Sequence, residues 1–245
     1  MFFDSDILPP EKTVPRMSAT VNLPLAQLRF WETTLGKKAI MAVTGVVLFG
    51  FVVAHLLGNL QIYLPPEKIN HYSEALRSMP VLLWGARITL LISVGLHIWA
   101  SFVLWRMQRA ARPIPYVKKS NEHSTYASRT MMWSGPIVLA FVIYHLLHFT
   151  FGVVHPGGPF DKHNVYNNVV FGFQVWPVSL FYIVAMIMLC YHLYHGLWSM
   201  FQTLGFSHPV YTPWLQRLAK VAAILIAAGN ISIPVAVLAG FIKPV

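Results

Sequence analysis

The 245-residue chain is 56% hydrophobic and only 11% charged, with a mean hydropathy of +0.56. Soluble globular domains carry about 25% charged residues, so this composition excludes both a soluble domain and a disordered chain. A single cysteine, Cys190, excludes an intrachain disulfide, an iron–sulfur cluster and covalent haem attachment through a CxxCH motif. The net charge of +10 would point to nucleic acid in a soluble protein, but basic residues gather in the cytoplasmic loops of membrane proteins. The class is an all-α integral membrane protein without nucleic acid as a partner.

The opening MFFDSDILPPEK lacks the basic and then apolar order of a cleaved signal peptide, so residues 1–37 read as a cytoplasmic segment and 38–245 as the membrane domain. About 20 apolar helical residues cross the hydrocarbon core. Five runs qualify: Ala39–Tyr63, Val81–Trp105, Met131–Val154, Val175–Phe201 and Val221–Ile242. Prolines punctuate them, with Pro65-Pro66 after the first, Pro80 before the second, Pro113 and Pro115 after it, and Pro209 and Pro213 before the last. Lys12, Arg16, Arg29, Lys37, Lys38, Arg106, Arg109, Arg112, Lys118, Lys119, Arg129, Arg217 and Lys220 fall on one side, thirteen against five on the other. The positive-inside rule then places the N-terminus in the cytoplasm and the C-terminus outside a multi-pass cytoplasmic (inner) membrane.

Six of the eleven histidines lie inside the spans: His55, His97, His145 and His148, His192 and His195. The others, His71, His123, His155, His163 and His208, fall in loops and read as solvated side chains. Ionisable residues in a span are costly and mark function. At 1.5 Å of rise per residue, His55 and His145 lie about 25 Å from the cytoplasmic edge, and His97 and His192 roughly 13–20 Å from it. The separation in depth is thus about 5–12 Å. An outer pair on helices one and three and an inner pair on helices two and four face diagonally across a four-helix bundle. Neutral imidazoles on facing helices suit the axial positions of a haem, and small residues such as Gly58, Gly95 and Gly196 would let a flat ring approach the backbone. No Asp or Glu lies within a span, which excludes a di-iron carboxylate site, while zinc or copper at the i, i+3 pairs His145/His148 and His192/His195 stays open. Depth does not choose between neighbours three apart, and alone it matches His195 to His97 slightly better than His192. Other classes remain in view: a haem-free structural anchor, a proton-relay transporter, and a di-haem anchor of another respiratory dehydrogenase.

The ordered set Thr33-Thr34-Leu35-Gly36-Lys37-Lys38, His55-Leu56-Leu57-Gly58-Asn59, Tyr144-His145-Leu146-Leu147-His148, and His192 four residues before Gly196-Leu197-Trp198-Ser199 resembles the cytochrome b membrane subunit of succinate dehydrogenases and fumarate reductases. The similar form is the single-chain, five-helix, two-haem type. The resemblance implies a distal haem b on His55 and His145 and a proximal haem b on His97 and His192. It leaves His148 and His195 as extra residues, runner-up haem ligands that could instead bond haem propionates, line a quinone pocket or simply bridge helices. Lys38 and Arg129 stand where haem propionates could reach. The resemblance also implies a flavoprotein carrying FAD, on which succinate is oxidised, and an iron–sulfur partner. Membrane quinone is the electron partner, with menaquinone favoured, among membrane lipids and in a larger oligomer of the complex. The implied task is electron transfer within the respiratory chain and the tricarboxylic acid cycle, with no quinone-binding residue named.

Overall fold

The computed structural model describes residues 29–111 and 126–245. The basic residues Lys12, Arg16, Arg112, Lys118 and Lys119, the loop histidine His123, and the prolines at 113 and 115 lie outside the described residues. So does most of the segment 1–37. Seven helices follow in chain order: α1 Thr34–Asn59, α2 Pro66–Arg77, α3 Pro80–Ala110, α4 Tyr126–His145, α5 Val165–Gln174, α6 Trp176–Thr203 and α7 Thr212–Leu238. With the short turns that extend α1 to Tyr63 and α4 to Thr150, five of them are long and apolar enough to cross a membrane.

The spans agree with those read from the sequence, but their limits move. The last begins at Thr212 rather than Val221, and ends at Leu238. Its polar first turns, with Gln216, Arg217 and Lys220, are helical although they are not apolar. Proline at the first or second position starts α2, α3, α6 and α7, where the missing N–H costs no helical bond. The loops that hold α2 and α5 read as plain connections in the sequence. Each is a short helix lying at one end of the molecule.

The entry to α1 explains the Thr-Thr-Leu-Gly-Lys-Lys stretch. Thr33 caps the helix by accepting from the Gly36 N–H at 3.0 Å. A Cβ on Gly36 would sit 2.1 Å from the Phe30 carbonyl oxygen, so only glycine fits under the preceding 3-10 turn, Phe30–Glu32. Lys37, read as a solvated basic residue, is only 8% exposed. Its Nζ donates to the Trp31 and Glu32 carbonyls at 3.1 and 2.7 Å, which satisfies that turn.

The long helices pack as a square. Helix α1 lies against α3, α4 against α6, and α6 against α1, with α7 on the outside of α6 and α1. Among the described residues, neither diagonal (α1 with α4, α3 with α6) nor the α3–α4 side has comparable backbone contact. The tightest core sits instead at the end that carries α2 and α5. There Ile62, Ile69, Tyr166, Val170, Phe173, Tyr182 and Ile233 pack together. Asn167 pins the chain end by donating to the Val245 carbonyl at 2.8 Å and accepting from the Val245 N–H at 3.1 Å.

Candidate functional site

Two histidine pairs close the two diagonals that the backbone leaves open. His55 on α1 faces His145 on α4 with ring centres 5.7 Å apart and planes at 87°. His97 on α3 faces His192 on α6 at 6.3 Å and 53°. Thus the helix pairing read from depth and from the resemblance is the pairing in space. In helix α6 the ring facing His97 is that of His192; His195 is half-buried one turn further on.

The vertical separation is larger than the sequence reading. Thr44 reaches His97 across α1 and α3, so His97 lies level with a residue eleven positions before His55 on α1. Tyr182 reaches His145, and His192 lies ten positions beyond Tyr182 on α6. Both helices place the pairs about 15 Å apart in height, where the sequence reading gave roughly 5–12 Å. The loop edges used as the zero of depth contributed, because α1 and α4 begin at Thr34 and Tyr126, ahead of Lys38 and Arg129, and α6 ends at Thr203, short of Gly205.

The two extra histidines part company. The α4 helix ends in a wider π turn, Leu146–Thr150, closed by the Phe151 N–H donating to the Leu146 carbonyl at 2.9 Å. The wider turn sets His148 against α5 and beside the same Tyr182 of α6 that His145 approaches. His148 is fully buried there. Its Nδ1 lies 3.0 Å from the Tyr182 hydroxyl, and its ring stacks on Phe149 at 3.8 Å. Gly172 of α5 makes room for it, since a Cβ there would fall 2.6 Å from Nε2. His155 is not solvated as the loop position implied. Its ring nitrogens lie 3.0 Å from the Gly158 and Asn168 carbonyls, and its ring centre is 5.1 Å from that of His148.

Of the small residues read as ring-accommodating, Gly58 is instead pressed by Tyr72 of α2, whose ring would lie 2.8 Å from a Cβ. Gly196, one turn beyond His192, has no atom within 4 Å of the Cβ position. Lys38 and Arg129 are both exposed, at the ends of α1 and α4 remote from α2 and α5.

The spacing of both pairs fits a haem iron. A metal–imidazole bond of about 2 Å, with the ring centre about 1 Å behind the nitrogen, sets two opposed ligand rings about 6 Å apart. Both pairs meet that spacing. Among the described residues, His192 Nδ1 is buried without a hydrogen-bond partner. Among the described residues, no cluster of three or more His, Cys, Asp or Glu side chains could hold a metal ion on protein ligands alone.

A family profile, the succinate dehydrogenase/fumarate reductase transmembrane subunit, matches residues 106–231. The chain belongs to that family. The match runs from the end of α3 through most of α7 and includes His145, His148, His192 and His195. No curated protein and no solved structure matches the chain. As a transmembrane subunit of succinate dehydrogenase or fumarate reductase, it is a multi-pass membrane protein that serves an enzyme complex.

Sequence reasoning missed Thr44 and Tyr182, which touch the histidines from neighbouring helices. A hydroxyl among apolar residues is a weak signal, and only its depth relative to a histidine could have singled it out.

Proposed function

We propose that this transmembrane subunit binds two b haems and passes electrons between an iron–sulfur partner and membrane quinone, menaquinone in the first instance. His55 and His145 would hold the outer haem, and His97 and His192 the inner one. The observation that carries this reading is the pair of opposed imidazoles on each diagonal, at two heights. When bound, haem iron supplies reversible one-electron storage. The residues supply the rest. Four helices fix the imidazoles at opposite corners, and Phe51 stacks on His55 at 5.2 Å to hold its ring. Phe141 and Phe149 flank His145 at 5.7 and 5.8 Å and keep water from it.

The end bearing α2 and α5 faces outside, and the basic end faces the cytoplasm with residues 1–37. A flavoprotein carrying FAD and an iron–sulfur subunit dock on that basic face, where succinate oxidation takes place on the flavoprotein. The inner pair then receives electrons first and the outer pair second. Residues 38–245 form the whole membrane domain.

The test is haem counting on the full chain purified in mild detergent. Extraction and a pyridine haemochrome assay should give two haems per polypeptide in the wild type. His55→Ala or His145→Ala should each give one, as should His97→Ala or His192→Ala, with a different haem lost in the two sets. A wild-type count of one or none overturns the assignment. His148→Ala and His195→Ala should keep both haems.

A further inference from the structure

Thr44 and Tyr182 each place a hydroxyl beside the Nδ1 of one histidine in each pair, and the other partners of each hydroxyl bear on which way the bond runs. Thr44 is buried, and its hydroxyl lies 2.8 Å from the Ile40 carbonyl and 3.2 Å from the Met41 carbonyl, groups that can only accept its single proton. With that proton donated to either carbonyl, the same oxygen accepts from His97 Nδ1, at 3.1 Å. That arrangement puts the His97 proton on Nδ1 and leaves Nε2 with a free lone pair aimed away from α1.

Tyr182 does the same on the other side of the bundle with one link more. Its oxygen lies 3.0 Å from His148 Nδ1 and 3.4 Å from His145 Nδ1. One phenolic proton can serve only one of them. If it goes to the nearer, His148, the phenol oxygen accepts from a protonated Nδ1 of His145, and the Nε2 of His145 is free. His148 then carries its own proton on Nε2, the buried atom that has no partner and faces Gly172. The arrangement repeats within each packed helix pair: α1 orients a histidine of α3, and α6 orients a histidine of α4. The other members, His55 and His192, receive no such hydroxyl bond, and His192 Nδ1 has no partner at all.

We propose that Thr44 and Tyr182 are positioning residues that lock His97 and His145 in the tautomer with Nδ1 protonated and Nε2 free, with His148 acting as the proton acceptor that sets the direction of the Tyr182 bond. The inference rests on the haem reading for its consequence, but not for its geometry. An accepted N–H bond raises the electron donation of a metal-bound imidazole, so losing the acceptor destabilises the oxidised iron.

Two measurements test it on the full-length chain. In protein produced without haem and labelled with 15N-histidine, His97 and His145 should show a protonated Nδ1. Thr44→Val should shift the His97 signal alone toward the other tautomer, and Tyr182→Phe the His145 signal alone. In haem-loaded protein, Tyr182→Phe should raise the midpoint potential of the outer haem only, and Thr44→Val that of the inner haem only, with both haems retained. His148→Phe should move the outer potential the same way by less. Protonated Nε2 on either histidine in the wild type overturns the proposal for that residue. So do unchanged potentials in variants that keep both haems. Should Tyr182→Phe fail to assemble, the wild-type 15N spectrum decides. Failure of the haem reading has a separate signature, because His145→Ala and His97→Ala would then leave the haem count unchanged whatever the tautomers show.

Discussion

Lys37 is the residue where position in the chain misleads most. Beside Lys38 it reads as one more cytoplasmic charge, yet it is folded back against two carbonyls and closed from solvent. Removing a buried group that satisfies polar partners leaves them unpaired, at a cost of about 1–3 kcal/mol each. Lys37→Ala should therefore destabilise the subunit by about 2–5 kcal/mol, read as a lower midpoint in a chemical or thermal denaturation series. Lys38→Ala, at an exposed site, should change it by less than about 0.5 kcal/mol. Lys38 and Arg129 also bear on haem propionates. A redox titration of Lys38→Gln and Arg129→Gln that shifts the inner haem alone assigns them to that haem, and unchanged potentials leave them as surface cations.

At the scale of the element, the π turn at the end of α4 governs how two histidines three apart take different tasks. The Tyr144-His145-Leu146-Leu147-His148 run is visible in the sequence, and its five apolar spans are equally plain, because hydropathy alone fixes them. The π turn is not, since it depends on α5 arriving to cover His148, and α5 is too short to announce itself by periodicity. Gly172 is the contact that makes this possible. Gly172→Val should push a side chain into His148 Nε2 and cost about 1–3 kcal/mol by overpacking. The check is a stability series in which Gly172→Ala lies between wild type and Gly172→Val. Asn167 gives a second element-level expectation. Asn167→Ala breaks both bonds to Val245, and hydrogen exchange should show lost protection confined to α5 and the last residues.

For the whole molecule, the sequence contained enough to assign helices and diagonals, because histidine depth follows directly from helical rise. It did not contain the height between the pairs, which needs the helices' true ends, nor the hydroxyls of Thr44 and Tyr182, which need their rotation. With the pairs about 15 Å apart along a membrane about 30 Å thick, an electron moving from the inner to the outer pair crosses about half of the hydrocarbon. A full crossing is worth about 2.3 kcal/mol per charge per 100 mV. Succinate–quinone turnover in sealed, oriented vesicles should accordingly change with the imposed potential and lose that dependence with an ionophore. An assembled His55→Ala complex lacking only the outer haem should lose most of its turnover; full turnover would refute electron delivery through the outer pair.

The open diagonals also have a meaning for how the protein is made. Helices α1 and α3 form one hairpin, and α4 and α6 a second, and each histidine pair takes one ring from each hairpin. Neither hairpin carries a complete ligand pair, so a cofactor can be captured only after both are in the membrane. Once captured it ties the hairpins across diagonals that the backbones leave open, adding to the α1–α6 contact and to α7, which packs on both. Two such ties at different heights leave the hairpins no axis about which to swing. Anything that binds only the joined state stabilises it by about 2.7 kcal/mol at a hundredfold excess over its dissociation constant. If the two pairs hold haem as proposed, a cell short of it should hold a less stable subunit, open to quality-control proteolysis, and its abundance should follow haem supply.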